Sequence, residues 1–351
     1  METIAQFQTT DIAKLIEPSA YIDTFDFAAS CEEKADVIAY PSATAAFVPL
    51  LEANRTKIQE IPRKTFQYGS TDRHQVCSLD FTNGSEPQCH LQLDVYYPIA
   101  PSTTGKTQIL VWVYGGGFVT GERQLPAPLD LVYATVGSFF ARRGFIVIIP
   151  DYRLAPSTIF PGAAEDVRDA ILWAIQKPHY LTTSTTPGPD TKGIFLMGHS
   201  AGAVHAFASI LIPPILEAPE VTLPLSNIAG IILHAGVHQW EGFDPSFFFF
   251  EVVAQHYGGV EHMNKRSSLG LLRDASAATL AMLPRILIVV AEKEPDWILK
   301  INEDFKRELE AITGKKPTSL VALGHNHISP NLALSSGQGE RWGEDVIAWI
   351  R

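Results

Sequence analysis

The amino-acid sequence predicts an α/β protein with a mostly parallel central sheet flanked by helices. From about residue 90 onwards, short apolar segments alternate with helical segments, which is the pattern of strand–helix–strand units. Several apolar segments lack the polar–apolar alternation of a half-exposed strand, as expected when both faces of the strand are buried. The length of 351 residues and the hydrophobic content of 46% fit one large globular domain with an added segment.

The alternating part of the chain contains seven predicted strands and five predicted helices. The strands are predicted at residues 91–97, 108–113, 145–149, 193–197, 228–233, 285–290 and 318–322. The helices are predicted at residues 131–143, 163–176, 201–212, 302–313 and 344–350. Helices between successive strands supply the crossover connections that parallel pairing requires.

Charge and cysteine content exclude several classes of partner. The formal net charge is −11, so there is no basic surplus to displace counterions from nucleic acid or from an anionic membrane. Cys31, Cys77 and Cys89 lack a Cys-x-x-Cys spacing, and we therefore expect neither a disulfide framework nor a zinc site. The partner that remains is a small neutral or weakly polar molecule.

The expected location is the cytoplasm. The first residues lack the basic start and sustained apolar stretch of a secretory signal. No apolar run approaches the roughly 20 residues that a membrane-spanning helix needs. The sequence gives no indication of oligomeric state.

The most informative segment is Gly-His-Ser-Ala-Gly at residues 198–202, between a predicted strand and a predicted helix. Small residues on both sides of Ser200 suit a sharp turn in which strand and helix approach closely. Such a turn exposes a reactive hydroxyl. An inert serine in an ordinary turn is the alternative, because a five-residue pattern also recurs by chance.

A second glycine cluster follows an upstream strand. Residues 114–118 read Tyr-Gly-Gly-Gly-Phe directly after the apolar segment 109–113. Bare backbone N–H groups in such a loop can stabilise the oxyanion of acyl transfer, by roughly 3 to 4 kcal/mol per donor. The sequence therefore supplies both a candidate nucleophile and a candidate oxyanion hole.

A serine nucleophile needs a histidine to accept its proton, and the histidine needs a carboxylate to orient it. The strand at 285–290 runs into Glu292, Glu294 and Asp296, and the last strand runs into His325 and His327. Acid and base candidates thus follow later strands. A metal site at the two histidines is disfavoured because no third ligand cluster stands out.

Four linked motifs resemble the hormone-sensitive-lipase-like branch of the α/β-hydrolases, from about residue 90 onwards. Residues 114–118 resemble its His-Gly-Gly-Gly loop, and residues 198–202 resemble its nucleophile turn. Asp-Tyr-Arg-Leu-Ala-Pro at 151–156 and Phe-Pro-Gly-Ala-Ala-Glu-Asp at 160–166 are similar to its segment after the fourth sheet strand and its following helix. The resemblance implies an α/β-hydrolase fold with a helical cap, and a serine esterase that needs no cofactor.

The resemblance also implies roles for single residues. Backbone N–H groups of Gly116, Gly117 and Ala201 would form the oxyanion hole. Glu294, followed by Pro295, stands where the family has an aspartate, and a glutamate still offers an acceptor to imidazole; Asp296 is the alternative, and Glu292 lies closer to the strand end.

For the base, the family spacing after Gly324 favours His327 over His325. The family's loop histidine is replaced by Tyr114, whose hydroxyl can still donate a hydrogen bond. Arg153 is expected to form a structural ion pair.

Two regions fall outside the alternation and look helical and irregular. We expect residues 1–65 to form an N-terminal cap segment, and residues 236–283 to form a cap insertion in a catalytic domain spanning 66–351. The four phenylalanines at 247–250 belong either to the core or to an apolar wall over the active site.

The predicted function is hydrolysis of small carboxylic esters through an acyl-enzyme intermediate on Ser200. Within the same fold, the alternatives are an amide or formamide hydrolase of the kynurenine formamidase type and a non-catalytic ligand receptor. Such a receptor, as in the plant gibberellin receptor, has lost the histidine, whereas this chain keeps two candidates.

Overall fold

The central sheet of the protein has eight strands. The computed structural model describes residues 41–69, 91–101, 105–213 and 222–351. The strands are β1 (Arg63–Gln67), β2 (Gln92–Tyr96), β3 (Ile109–Val113), β4 (Ile146–Pro150), β5 (Ile194–His199), β6 (Ile228–His234), β7 (Arg285–Lys293) and β8 (Thr318–Asn326). All seven predicted strands are present, with bounds that differ by at most four residues. The predicted α/β fold is confirmed.

The sheet is mostly parallel. Its strand order is β1-β2-β4-β3-β5-β6-β7-β8, and every pair from β4 to β8 is parallel. The two strands at the other edge are antiparallel, since β1 pairs with β2 and β2 pairs with β4 in that sense. Parallel strands share one carboxyl edge, where functional residues of such sheets gather.

Helices connect the strands. Within the described ranges they are α1 (Pro41–Ala53), α2 (Arg55–Gln59), α3 (Val132–Arg142), α4 (Gly162–Gln176), α5 (Ala201–Leu211), α6 (Phe250–Tyr257), α7 (Val260–Arg266), α8 (Ser268–Asp274), α9 (Ala277–Met282), α10 (Asp296–Thr313), α11 (Ser329–Ala333) and α12 (Arg341–Ile350). The five predicted helices are α3, α4, α5, α10 and α12. Three of them start earlier than predicted, α10 by six residues, α12 by three and α4 by one.

The core lies on both faces of the sheet. Every residue of β3, β4 and β5 is buried, which requires cover on both sides. One layer includes α5 and α10, whose Phe207 and Phe305 rings meet edge to face at 5.3 Å. A second helical layer contains α3 and α12. Arg143, the residue after α3, forms an ion pair with Glu344 of α12 at 2.6 Å.

Strand β1 is a departure from the expected helical and irregular N-terminal region. Its residues read Arg-Lys-Thr-Phe-Gln, and all but the phenylalanine are exposed. An edge strand with one apolar residue carries no burial pattern to predict it from.

The regions assigned to the cap contain short helices. Residues 236–283 hold α6 to α9, and residues 41–59 hold α1 and α2. Phe47 and Leu51 of α1 pack against Leu332 of α11 in a separate apolar cluster. The division into cap and catalytic domain stays a prediction.

Residues 1–40 and the three cysteines lie outside the described residues. In the part of the chain that the structure describes, no helix combines the length and apolarity needed to cross a membrane.

Candidate active site

Ser200 occupies the sharp turn between β5 and α5. Its backbone has φ 53° and ψ −123°, a conformation that a non-glycine residue adopts only when the surroundings enforce it. The Ser200 N–H donates to the carbonyl of His234 at 2.8 Å. A Cβ atom at Gly202 would lie 2.2 Å from the carbonyl oxygens of Val113 and Tyr114. Only glycine there lets α5 start so close to the end of β3.

The glycine loop after β3 lies against this turn. A Cβ atom at Gly115 would be 3.0 Å from the Cβ of Ser200. Gly116 has φ 137°, and a Cβ atom there would overlap the carbonyl oxygen of Thr120. No N–H group of Gly116, Gly117 or Ala201 donates a hydrogen bond to another described residue. Within the described residues, these main-chain donors therefore have no internal acceptor.

Ser200, His327 and Glu294 form a continuous chain of hydrogen bonds. The Oγ of Ser200 is 3.0 Å from Nε2 of His327, and Nδ1 of the same ring is 2.8 Å from Oε2 of Glu294. The Glu294 side chain is fully buried, while Ser200 is partly exposed. The sequence places these residues on three separate segments, and the carboxyl ends of β5, β7 and β8 bring them together.

The protonation of this chain follows from its partners. An ionised carboxylate only accepts hydrogen bonds, so Nδ1 of His327 carries the proton that is donated to Glu294. In the neutral ring, Nε2 is then the acceptor that faces the hydroxyl of Ser200. This is the arrangement in which an imidazole can remove a proton from serine.

The other acid and base candidates have different partners. His325 contacts the Oγ of Ser329 at 2.9 Å and the carbonyl of Gly339 at 2.8 Å, and burial lowers its pKa from 6.5 to about 4. Asp296 is exposed at the start of α10. Glu292 accepts a hydrogen bond from the N–H of Gly324 at 2.6 Å. None of the three joins the chain from Ser200.

Tyr114 is anchored beneath the glycine loop. Its hydroxyl donates to Oδ1 of Asp151 at 3.1 Å, and the backbone N–H of Arg123 donates to the same oxygen at 2.7 Å. The Tyr114 carbonyl accepts a hydrogen bond from the hydroxyl of Tyr152 at 2.7 Å. Burial, with Asp151 nearby, raises the pKa of Tyr114 well above 10, so the phenol stays neutral and donates.

His199 is a site neighbour that the sequence reasoning did not single out. Its Nε2 is 2.8 Å from the backbone carbonyl of His327. It is the variable second residue of the turn motif, so nothing in the motif marks it. The signal available was its position at the end of a buried strand, directly before Ser200.

The phenylalanines at 247–250 differ in burial and packing. Phe249 is buried and packs in one cluster with Phe118 and Ala201. Phe248 is partly exposed and packs with Trp297 on a small cluster that contains Ala235, the residue after β6. Phe249 is therefore core, while Phe248 lies on an aromatic surface near the carboxyl edge of the sheet.

Arg153 forms the expected structural ion pair. Its guanidinium is 2.8 Å from the buried carboxylate of Asp166 in α4. Among the described residues, no group of three His, Cys, Asp or Glu side chains is arranged to hold a metal ion.

Comparison with known proteins gives matches among ester hydrolases. Residues 93–211 match the family model BD-FAE. A probable carboxylesterase 11 of Arabidopsis thaliana is 28% identical over 316 residues, which cover 74% of this chain and 65% of the relative. A probable isoprenylcysteine alpha-carbonyl methylesterase of Oryza sativa subsp. japonica is 26% identical, over 61% of this chain and 48% of the relative.

The chain spans only part of the first curated relatives, including 5% of a methylphloroacetophenone synthase of Cladonia uncialis. Among solved structures, carboxyl esterase 2 of Tuber melanosporum aligns with a TM-score of 0.57 at 21% identity, over 83% of this chain and 85% of that one. A thermostable esterase of Pseudomonas putida gives the same TM-score at 18% identity, over 88% of each chain. These structural likenesses establish the fold.

Proposed function

We propose that this chain, which belongs to the hormone-sensitive-lipase-like carboxylesterase branch of the α/β-hydrolases, hydrolyses carboxylic esters of small molecules through an acyl-enzyme intermediate. The observation that supports the proposal most strongly is the hydrogen-bonded chain from Ser200 through His327 to Glu294. The partial exposure of Ser200 adds to it, because a nucleophile must be reached by its substrate.

In the proposed acylation step, the Oγ of Ser200 attacks the ester carbonyl carbon while its proton moves to Nε2 of His327. Glu294 stabilises the imidazolium that forms. The carbonyl oxygen becomes an oxyanion and accepts hydrogen bonds from the free N–H groups at residues 116, 117 and 201. The imidazolium then gives its proton to the departing alcohol, which leaves the acyl group on Ser200.

Deacylation repeats these steps with water as the nucleophile. His327 removes a proton from the water, which attacks the acyl carbonyl. The tetrahedral intermediate then collapses to release the acid, while the His327 imidazolium returns the proton to the Oγ of Ser200. The bonds and protons balance without a further reactant, so the proposed reaction needs no cofactor.

The aromatic surface supports an apolar ester as substrate. Phe248 and Trp297 pack against the cluster formed by Ala235 and Ile298, and the carbonyl of His234, the residue before Ala235, accepts the Ser200 N–H. A surface of this kind favours apolar acyl or alcohol groups. The absence of a basic surplus in the composition agrees with a neutral substrate. The cytoplasmic location of the protein stays a prediction.

The test compares Ser200→Ala with Ser209→Ala on p-nitrophenyl acetate. Ser209 is a matched control, because it is a buried serine of α5, the helix that follows Ser200. Its hydroxyl donates to the carbonyl of Ala206 at 2.8 Å. We expect Ser200→Ala to lose on the order of 10⁴-fold or more in turnover, and Ser209→Ala to keep it. Unchanged turnover in Ser200→Ala would refute the proposal.

Two further measurements address the alternatives. Turnover of N-formylkynurenine above that of p-nitrophenyl acetate would identify a formamide hydrolase instead. A fluorophosphonate probe should label the wild type and Ser209→Ala but not Ser200→Ala. A wild type that resists the probe would favour the receptor alternative.

A further inference from the structure

His199 lies between the loop that carries His327 and the glycine loop. It is the last residue of β5 and is 3% exposed. The carbonyl oxygen of His327 can only accept, so Nε2 of His199 carries the proton of the 2.8 Å hydrogen bond between them. The His199 side chain thus links the backbone of His327 to the end of β5, directly before Ser200.

The other side of the His199 residue faces the glycine loop. A Cβ atom at Gly115 would be 3.2 Å from Nδ1 of His199 and 3.0 Å from its carbonyl oxygen. The imidazole therefore fills the space between residue 115 and the His327 loop. A smaller side chain would leave both loops without this contact.

The imidazole of His199 is held in its neutral form. Burial lowers its pKa well below 6.5, and the nearby rings of His327 and His234 lower it further. Those rings lie 4.8 Å and 4.9 Å away, measured between centroids. A neutral ring at this place adds no positive charge beside His327 when that residue takes up the proton of Ser200.

We propose that His199 is a positioning residue for the reaction. Its N–H group holds the main-chain carbonyl of His327, and this fixes the His327 ring in line between Ser200 and Glu294. The inference rests on the proposed function, because it assigns His327 as the base. Displacements of about 1 Å at a reacting group can cost on the order of 100-fold in rate, so a single hydrogen bond to the base's backbone is large enough to matter.

The test uses two substitutions that differ in one donor. In His199→Gln, the amide nitrogen reaches close to the position of Nε2 and can donate to the His327 carbonyl. In His199→Leu, a side chain of similar bulk has no donor. We expect His199→Leu to lower kcat on p-nitrophenyl acetate by roughly 10- to 100-fold with KM changed less than about threefold, and His199→Gln to recover most of the loss.

A second readout follows the His327 ring directly. The proton shared by Nδ1 of His327 and Glu294 should give a low-field proton NMR signal, which we expect to broaden or vanish in His199→Leu and to persist in His199→Gln. If His199→Leu does not fold, His199→Asn, whose amide falls short of the carbonyl, takes its place. Thermal unfolding of each variant establishes that the compared proteins are folded.

Three outcomes would overturn the proposal: a wild-type kcat in His199→Leu, equal losses in the folded Leu and Gln variants, or an unchanged low-field signal in His199→Leu. If the wild type hydrolyses no ester, the proposed function fails instead. The NMR comparison then still decides whether His199 holds the His327 ring.

Discussion

Buried histidines make the stability of this protein sensitive to acid. Burial lowers the pKa of His205, His234 and His238 from 6.5 to about 3 in each case. The unfolded chain binds protons at these residues below pH 6.5, whereas the folded chain does so only near pH 3. These histidines therefore leave the free energy of unfolding unchanged above pH 6.5, and they lower it as the pH falls from 6.5 towards 3.

The size of the loss at pH 5 follows from the two pKa values. A group with a pKa of 6.5 in the unfolded chain is almost fully protonated at pH 5, about 30-fold in favour of the charged form, while its folded form stays neutral. This ratio corresponds to about 2 kcal/mol of unfolding free energy for each histidine. Three such groups would together remove about 6 kcal/mol, a large part of the roughly 5 to 15 kcal/mol that holds a typical domain folded.

His238 is the best residue on which to test this linkage. Its ring stacks on Phe305 at 4.1 Å, and neither ring nitrogen has a hydrogen-bond partner among the described residues. His238→Gln replaces it with a side chain of similar volume that does not titrate. Urea unfolding, followed by tryptophan fluorescence, should show that the loss of unfolding free energy between pH 7.5 and pH 5.0 is about 2 kcal/mol smaller in the variant.

The matched control is Ser209→Ala, since Ser209 is buried and has no group that titrates between pH 5.0 and pH 7.5. Its replacement should leave the acid-induced loss as it is in the parent. The reasoning is refuted if the parent is equally stable at both pH values. It is also refuted if His238→Gln loses as much as the parent.

Substitutions at three residues near the site have expected outcomes. Glu294→Gln replaces the acceptor of the His327 Nδ1 proton by an amide, and kcat on p-nitrophenyl acetate should fall on the order of 10⁴-fold. Glu294→Asp keeps a carboxylate and should retain more activity than Glu294→Gln. Equal rates in the two variants would contradict this role. Gly116→Ala places a methyl group against the Thr120 carbonyl, so kcat should fall at least 100-fold while the fluorophosphonate probe reacts more slowly. Tyr114→Phe removes the hydrogen bond to Asp151, and thermal unfolding should report a loss of about 1.5 to 3 kcal/mol; an unchanged midpoint would rule out the anchor.

Most of the sheet could be predicted because its strands are buried on both faces. The run Ile-Leu-Val-Trp-Val in β3 is apolar at every position, and such runs stand out from the helices between them. The exposed edge strand β1 has no comparable pattern, and its pairing with β2 is decided by tertiary contact. The early start of α10 at Asp296 could not be read either, because Glu294 and Pro295 fit a loop as well as a helix boundary.

The site could be predicted only as far as its motifs reach. The turn motif marks Ser200, and the preference for Glu294 and His327 came from a family spacing; the structure brings these three residues into contact. Without the family spacing after Gly324, position along the chain could not separate His327 from His325, since both follow the last predicted strand within five residues. The contact of His199 with the His327 loop joins residues 128 positions apart, and no local pattern encodes it.

Because of the order of the strands, the candidate site is complete only when the whole sheet has assembled. The loop after β3, the turn after β5 and the ends of β7 and β8 each contribute one part of the site, and the last part arrives only with residue 327. A nascent or proteolysed chain that ends before β8 would lack His327, the proposed base. Ester turnover should therefore report the fraction of molecules that have finished folding, and it should appear late in refolding, after most of the secondary structure has formed.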